Sequence, residues 1–430
     1  MSITMASIKR DVGSPDWANM PRDVLCAVLR ESGINPLSLA GVCKGWRWLL
    51  DEEVYRTSVL FTYCVADPSS LHEAVRSFSL FMCTRPPVTV DLAICLSVPM
   101  GEEAIAAAAL GPVLVHLAPR LQTLRLDHVH VAPALVASPF VDMCARLDFL
   151  RSFVERPLDL GRMRTLEMVD LTLVGVHAEI VALPPGLTSC RLQVYDNTTR
   201  PALTTLLALL PTMRRLRTLA VYSDHECTLD VAALAPTLAT IIIDASKEVR
   251  LELHGASFPD LAVFGIRKCN VSAVDLSAFL QRCRRIRALS CADYRFDDII
   301  APTLDLRHLP LKAAALVTSP YRARLRCVFP SGVRALTLGH GDIEDALEQP
   351  DVVATVQMLA LVDMEHMDPR LFELVWPAQL FFPRLTDVKA AGCTSPQLAA
   401  LLGQRCWRAC LTLDMFLVSD IETDDELYGF

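Results

Sequence analysis

A six-residue apolar pattern, apolar-x-x-apolar-x-apolar, recurs along this 430-residue chain and constrains its fold more than any other feature. Successive copies start 22 to 29 residues apart, except for one gap of 42 residues in which we expect a degenerate copy at Leu147–Ser152. Because the chain is 52% hydrophobic, one match means little and the regular spacing is informative. The copies are Leu121-Leu124-Leu126, Met163-Leu166-Met168, Leu187-Cys190-Leu192, Leu216-Leu219-Val221, Leu238-Ile241-Ile243, Leu261-Phe264-Ile266, Ile286-Leu289-Cys291, Leu311-Ala314-Leu316, Val333-Leu336-Leu338, Val356-Leu359-Leu361, Leu385-Val388-Ala390 and Cys410-Leu413-Met415.

This spacing is typical of leucine-rich repeats, which recur every 20 to about 29 residues. Segments with leucines at helical spacing separate several copies: Leu203–Leu210, Leu371–Leu374 and Leu398–Leu402. The sequence therefore predicts an α/β solenoid, in which parallel strands line the concave side and helices line the convex side. The repeats are irregular, because the turn position after the strand holds Cys269 or Cys393 in two repeats and asparagine in none.

Residues 16–61 have a different pattern, which predicts three short helices. Pro21 opens the first helix and Gly33 ends it, and Asn35-Pro36 is a helix cap followed by a first-turn proline. Helices this short bury little apolar surface on their own, which favours packing against a partner.

This segment resembles the F-box, whose motif opens with Leu-Pro and closes with Val-Cys-Lys-x-Trp-Arg. The chain has Met20-Pro21-Arg22-Asp23-Val24-Leu25, in which Met20 replaces the leucine, and then Val42-Cys43-Lys44-Gly45-Trp46-Arg47. The resemblance to the F-box/leucine-rich-repeat family implies that the box binds a Skp-family adaptor and so joins a cullin–RING ubiquitin ligase of the SCF type. The residues implied to contact or shape the adaptor surface are Met20, Pro21, Val24, Leu25, Val28, Leu29, Leu37, Val42, Cys43 and Trp46. The alternative is that these residues form an internal hydrophobic core with the first repeats instead of an adaptor surface.

The predicted organisation has four parts. They are an F-box-like helical domain at 14–60, a connecting helical linker at 61–85, a leucine-rich-repeat solenoid at 86–418 and an acidic tail at 419–430. The solenoid would hold about 12 to 13 repeats. We expect one or two early repeats within residues 61–120 without assigning their bounds.

A protein substrate is expected on the concave side, where strand residues alternate with the core positions. Charges of both signs beside aromatic rings suit a protein or peptide partner, although a solvated face without a partner is the alternative for each residue singly. The candidate substrate-binding residues are Arg125, Asp127, Glu167, Arg191, Gln193, Tyr222, Asp244, Arg267, Lys389, Asp414 and Phe416.

Several classes of function are disfavoured by composition and by the absence of motifs. The net charge of −8 argues against a dedicated nucleic-acid binder, so we interpret the basic runs Arg214–Arg217 and Arg282–Arg287 as cations near helix ends. The odd count of 15 cysteines predicts small buried groups in a reduced compartment, cytoplasmic or nuclear. No membrane span, nucleotide-binding motif, metal-ligand motif or catalytic motif occurs in the sequence. We therefore expect no cofactor, no metal and no catalytic residue.

The sequence thus predicts a non-catalytic substrate-recognition subunit of an SCF-type ubiquitin ligase. The first alternative is a leucine-rich-repeat interaction scaffold outside any ligase. The second is a ubiquitin ligase with its own catalytic cysteine, which would need a catalytic domain for which the repeats leave no room.

Overall fold

The computed structural model divides the chain into two compact units. One unit comprises Met1–Leu135 and Met143–Leu147, and the other comprises Val136–Asp142 and Asp148–Phe430. The structure describes residues 58–65, 89–96, 114–127, 144, 146–154, 157–195, 207–292, 295–296, 303–317, 326–339, 346, 348–362, 384 and 387–390.

The described part of the first unit contains three parallel strands and a helical turn at 114–117. The strands are β1 (Ser58–Val65), β2 (Thr89–Leu96) and β3 (Leu121–Asp127), paired in that order. Leu124 and Leu126 of β3 are fully buried, as is Leu121, so the first predicted apolar pattern forms a strand with the expected core positions. Leu92 of β2 lies opposite Leu124 and is also buried. Repeat strands therefore begin before residue 121.

The second unit is a parallel β-solenoid. Its strands are β4 (Phe149–Val154), β5 (Pro157–Asp159), β6 (Met168–Leu173), β7 (Glu179–Ala182), β8 (Ser189–Val194), β9 (Thr218–Ser223), β10 (Cys227–Asp230), β11 (Thr240–Glu252), β12 (Val263–Val271), β13 (Ala288–Ala292), β14 (Arg295–Phe296), β15 (Thr303–Asp305), β16 (Ala313–Val317), β17 (Arg326–Val328), β18 (Ala335–Gly339), β19 (Met358–Val362) and β20 (Asp387–Ala390). Its helices are α1 (Ala273–Arg282) and α2 (Pro350–Val353), with 3-10 turns at Leu210–Thr212 and Val231–Ala233. The main sheet of this unit has the order β4-β6-β8-β9-β11-β12-β13-β16-β18-β19-β20.

A ladder of shared carbonyls joins successive repeats at the amino-terminal edge of the main sheet. The carbonyl of Arg217, for example, accepts hydrogen bonds from the N–H groups of Ala239 at 2.7 Å and Thr240 at 2.9 Å. These carbonyls lie 19 to 29 residues apart, so the repeats are equivalent in backbone geometry although they differ in length. We call the residues that carry them the ladder positions: Asp148, Glu167, Thr188, Arg217, Ala239, Ala262, Arg287, Lys312 and Arg334.

The predicted register is wrong in one repeat. The core positions around β6 are Leu166, Val169 and Leu171, all buried, rather than Met163-Leu166-Met168. The apolar spacing of three continues upstream through a turn, because Met163 donates its N–H to the Leu160 carbonyl and Leu166 donates to the Met163 carbonyl. The apolar pattern therefore fits this repeat in two registers, and the predicted register begins three residues too early.

The degenerate repeat expected at Leu147–Ser152 is confirmed. Strand β4 covers Phe149–Val154, and its Leu150 and Ser152 lie opposite Val169 and Leu171 of β6. Ser152 is 1% exposed and occupies a core position. Its hydroxyl donates a hydrogen bond to the Phe153 carbonyl at 3.0 Å, which offsets the cost of burying a polar group there.

The prediction of one helix per repeat is wrong for most of the described repeats. Helix α1 begins at the cap residue Ser272 and packs Phe279 against Phe264 of β12, with ring centres 4.9 Å apart. Elsewhere, short parallel strands lie between the main strands: β5 with β7 and β15 with β17 form separate two-stranded sheets, and β10 and β14 pair with the ends of β11 and β12. Prolines also lie between the strands, for example Pro236 after the 3-10 turn Val231–Ala233, and proline disfavours helical geometry in the residue before it.

The described part of the segment Leu203–Leu210 has only one helical turn, at 207–209, before the 3-10 turn. The predicted helical segments at 371–374 and 398–402 lie outside the described residues.

Buried cysteines fill some core positions, as the sequence predicted. Cys190 and Cys291 occupy core positions of β8 and β13, and burial raises the pKa of each thiol to about 12. Cys269, at the predicted turn position, donates its thiol hydrogen to the carbonyl of Arg267 at 3.3 Å or Ile243 at 3.8 Å. The cysteines whose side chains the structure describes are free thiols: Cys144, Cys190, Cys227, Cys269, Cys283, Cys291 and Cys327.

Candidate interaction surface

The strand residues that alternate with the core positions form one face of the main sheet, which we call the open face. Strand pairing aligns them in rows that run across the repeats. One row contains Arg151, Asp170, Arg191, Ala220, Ile242, Gly265, Ser290, Ala315, Thr337 and Ala360. The next row contains Phe153, Thr172, Gln193, Tyr222, Asp244, Arg267, Ala292 and Val317.

Two arginines flank one aspartate at the start of the first row. The Oδ2 atom of Asp170 lies 3.5 Å from Nε of Arg151, and its Oδ1 atom lies 4.0 Å from Nε of Arg191. The Asp170 side chain is 12% exposed, whereas the arginine side chains are 46% and 49% exposed. The aspartate therefore holds two guanidinium groups in place at a solvent-accessible surface.

Arg191 also contacts the aromatic ring of Tyr222. Its guanidinium carbon lies 5.0 Å from the ring centre, within the range of a cation–π contact. Ala220 lies directly opposite Arg191 on β9, and its small side chain leaves room for the arginine to lean toward the tyrosine. This contact links the first row to the second.

An ion pair continues the second row. Asp244 and Arg267 lie opposite each other on β11 and β12, with 3.6 Å between the carboxylate oxygen Oδ2 and the guanidinium nitrogen Nη1. Their side chains are only 15% and 21% exposed, so the pair is largely desolvated. Tyr222 lies opposite Asp244 on the other side. The structure thus brings together four of the predicted substrate-binding residues, Arg191, Tyr222, Asp244 and Arg267, across four neighbouring strands.

A groove of about 290 Å³ opens at the carboxyl ends of β8 and β9 and beside the irregularity in the pairing of β11 with β12. The loop after β9 is tied to the loop after β8, because His225 Nε2 lies 2.9 Å from the Tyr195 carbonyl oxygen. On the far wall Lys268 has a φ of 52°, a left-handed conformation that is costly for a residue with a side chain. The lining residues are Gln193, Val194, Tyr195, Tyr222, Ser223, Asp224, Asp244, Ala245, Arg267 and Lys268.

Six groove residues were not among the predicted substrate-binding residues: Val194, Tyr195, Ser223, Asp224, Ala245 and Lys268. Tyr195 and Asp224 directly follow the last paired positions of β8 and β9, whereas Lys268 lies within β12 between the paired positions Arg267 and Cys269. The strand register is therefore the signal that identifies these three residues. Asp170 was also missed, because the shifted register of β6 selected Glu167 instead. Glu167 is exposed and lies directly before β6, where its carbonyl is a ladder position.

The other predicted residues lie apart from this groove. Arg125 is an exposed residue of β3 in the first unit, and Asp127 ends that strand. Lys389 lies opposite Ala360 in the backbone pairing of β20 with β19. Asp414, Phe416 and all the predicted adaptor-binding residues lie outside the described part of the chain: Met20, Pro21, Val24, Leu25, Val28, Leu29, Leu37, Val42, Cys43 and Trp46.

The described residues contain neither a metal-binding cluster nor a membrane-spanning helix. No group of three His, Cys, Asp or Glu side chains in this part of the chain is placed to hold a metal ion. No helix there is long and apolar enough to cross a membrane.

The fold and the open face define a repeat solenoid with a polar and aromatic surface. Comparison of the chain with protein-family models and with curated proteins found no match. The function is therefore argued from the residues and their geometry.

Proposed function

We propose that the chain is the substrate-recognition subunit of an SCF-type ubiquitin ligase. The observation that carries the proposal is an F-box-like segment at 14–60, closed by the hexapeptide Val42–Arg47, which precedes a repeat solenoid. In this proposal the box binds a Skp-family adaptor, and through it the chain joins a cullin–RING ligase. The solenoid binds the target protein.

The open face supports the second half of the proposal. Arg191, Tyr222, Asp244 and Arg267 present both signs of charge beside an aromatic ring, next to a groove. Protein interfaces are enriched in tyrosine and arginine, and these residue types account for much of their binding energy. The largely desolvated ion pair and the cation–π contact hold these side chains before a partner arrives, which lowers the entropy lost on binding.

A receptor of this kind performs no covalent chemistry itself. It holds the target beside a ubiquitin-charged enzyme, and the gain is the effective concentration of target lysines near the reactive thioester. The two halves have separate tasks, so damage to one should leave the other able to bind.

The test is a pull-down with the full-length chain as bait. We expect a Skp-family adaptor and a cullin to be recovered with the wild-type chain, and both to be lost with the Met20→Ala/Pro21→Ala/Trp46→Ala variant. The matched control is Tyr222→Ala/Arg267→Ala on the open face, which should retain both. Circular dichroism should show that all three chains are equally folded.

Two outcomes would overturn the proposal. Recovery of the adaptor without a cullin would favour the alternative, a leucine-rich-repeat interaction scaffold outside any ligase. Recovery of neither protein by an equally folded wild-type chain would mean that the box packs against the chain's own repeats.

A further inference from the structure

Three basic residues lie side by side at the amino-terminal edge of the main sheet. Arg287, Lys312 and Arg334 occupy consecutive ladder positions, and each donates its backbone N–H to the ladder carbonyl of the repeat before it. Neighbouring strands are about 4.8 Å apart, so the three residues stack at that interval. We call them the cationic row.

The side chains of the cationic row are exposed, and no described residue is a counter-ion to them. Among the residues that the structure describes, none of the three forms an ion pair or a side-chain hydrogen bond. Arg285, close by in sequence, is by contrast paired with Asp260 at 2.6 Å. The row therefore presents unneutralised positive charge on a chain whose net charge is −8.

The fold does not require cations at these positions. The same ladder position holds Thr188, Ala239 and Ala262 in other repeats, with the same pair of backbone hydrogen bonds to the carbonyl. Like charges directly opposite each other on neighbouring strands destabilise a sheet. The cationic row thus has a cost in the isolated protein that a bound anionic group would relieve.

We propose that the cationic row binds an acidic segment of a partner protein. Asp and Glu carboxylates at alternate positions of an extended segment would face the three cations in turn, through charge-assisted hydrogen bonds. A protein segment is favoured over nucleic acid because the row is one residue wide, whereas nucleic-acid binding at physiological salt uses many phosphate contacts over a basic surface. This site lies directly before β13, β16 and β18, whereas the groove is lined by residues of β8, β9, β11 and β12 and the loops after β8 and β9, and it does not depend on the proposed ligase function.

The test measures binding of a labelled peptide of alternating glutamate and serine to the full-length chain by fluorescence anisotropy. The test variant is Arg287→Gln/Lys312→Gln/Arg334→Gln. Glutamine is compatible with this backbone geometry, because Gln357 donates its N–H to the Arg334 carbonyl at the equivalent position of the next repeat. We expect the variant to bind the peptide about tenfold or more weakly at low salt, and the wild-type affinity to fall as salt is added.

The matched control is Arg217→Gln. Arg217 is an exposed cation at a ladder position, but its neighbours are Thr188 and Ala239, so it stands alone. We expect its loss to change peptide affinity by less than about twofold. An equal loss in the control and the triple variant would overturn the proposal, as would absence of binding to the wild-type chain.

Two further outcomes would assign the row to another occupant and so overturn the proposal. One is stronger binding of an oligouridylate than of the acidic peptide through the same three residues. The other is peptide binding that appears only after the acidic residues of 419–430 are changed to their amides, which would assign the row to the chain's own tail.

Discussion

The open face of the second unit has two regions of different chemistry on the same backbone frame. From β4 to β12 it carries the charged and aromatic residues around Asp170 and Tyr222. From β13 to β19 it carries mostly small residues: Ala288, Ser290, Ala292, Ala313, Ala315, Val317, Ala335, Thr337, Gly339 and Ala360. The shared carbonyls are bonded alike in both regions, at 2.7 and 2.9 Å from Arg217 and at 2.8 and 3.1 Å from Lys312.

The comparison shows that the hydrogen-bonded backbone fixes the positions of the side chains on the open face but not their identities. The second region has small residues on its open face and the same hydrogen bonds to its shared carbonyls, so the charged residues on the open face of the first region are not needed to build the sheet. In the second region, Ala288 and Ala313 are buried with Val263 in a small apolar cluster on the open face. The first region is the part that we expect to bind a partner.

The largest effect is expected from the core that both regions share. Phe264 is fully buried at the boundary between them and packs against Phe279. Replacing it with alanine removes most of a ring and leaves a cavity, so Phe264→Ala should lower the free energy of unfolding by about 3–5 kcal/mol. Urea denaturation measures this, and a loss below about 1 kcal/mol would contradict the packing described for β12 and α1.

A charge placed on the open face should distinguish the two regions. Ala313 is 2% exposed, so Ala313→Arg must bury or displace a guanidinium and should cost about 2–3 kcal/mol. Gln193→Arg in the first region should cost less than about 0.5 kcal/mol, because that side chain is partly exposed. Equal costs in urea denaturation would mean that the two regions do not differ in the way described.

Removal of Asp170 tests the charged cluster. Asp170→Ala leaves Arg151 and Arg191 close together without the carboxylate between them, and we expect a loss of about 1–2 kcal/mol. The control is Thr337→Ala, which changes the same row in the second region and should be nearly neutral. High salt should reduce the cost of Asp170→Ala by screening the two arginines, and a cost unchanged by salt would contradict this cause.

The smallest difference between the two regions is expected in thiol reactivity, which should be alike in both. Burial raises the pKa of Cys190 in β8 and of Cys291 in β13 to about 12, so almost no thiolate exists at pH 8. Because the thiolate is the reactive form, iodoacetamide should label both at least about a hundredfold more slowly in the native chain than in urea. Mass spectrometry of labelled peptides reports each site. Rapid native labelling of either would show that its core position opens to solvent.

Strand positions could be predicted from the sequence because apolar residues alternate along each strand and the pattern recurs at a regular interval, which marks one buried face. The same rule failed at Met163, where turn residues repeat the apolar spacing, and that error replaced Asp170 with Glu167. Helices were over-predicted because the apolar residues between strands fit helical spacing as well as short strands and turns. Proline-containing segments, such as the one around Pro236, form short turns instead of helices.

A site residue could be predicted from the sequence only where the alternation within its own strand identifies it. Arg191 and Tyr222 follow from alternation, but their contact depends on Ala220 between two repeats. The cationic row was missed for a similar reason. Arg287 was interpreted as a cation near a helix end, and Lys312 and Arg334 become its neighbours only through the ladder.

The most direct test of the central claim is reconstitution of ubiquitin transfer. The full-length chain would be mixed with a Skp-family adaptor, a cullin–RING module, ubiquitin and its activating and conjugating enzymes, and ubiquitin on the chain's own lysines would be measured. Because proximity drives the transfer, we predict modification of the wild-type chain and at least about a tenfold loss for Met20→Ala/Pro21→Ala/Trp46→Ala. Equal modification of both folded chains, or none of either, would contradict the account.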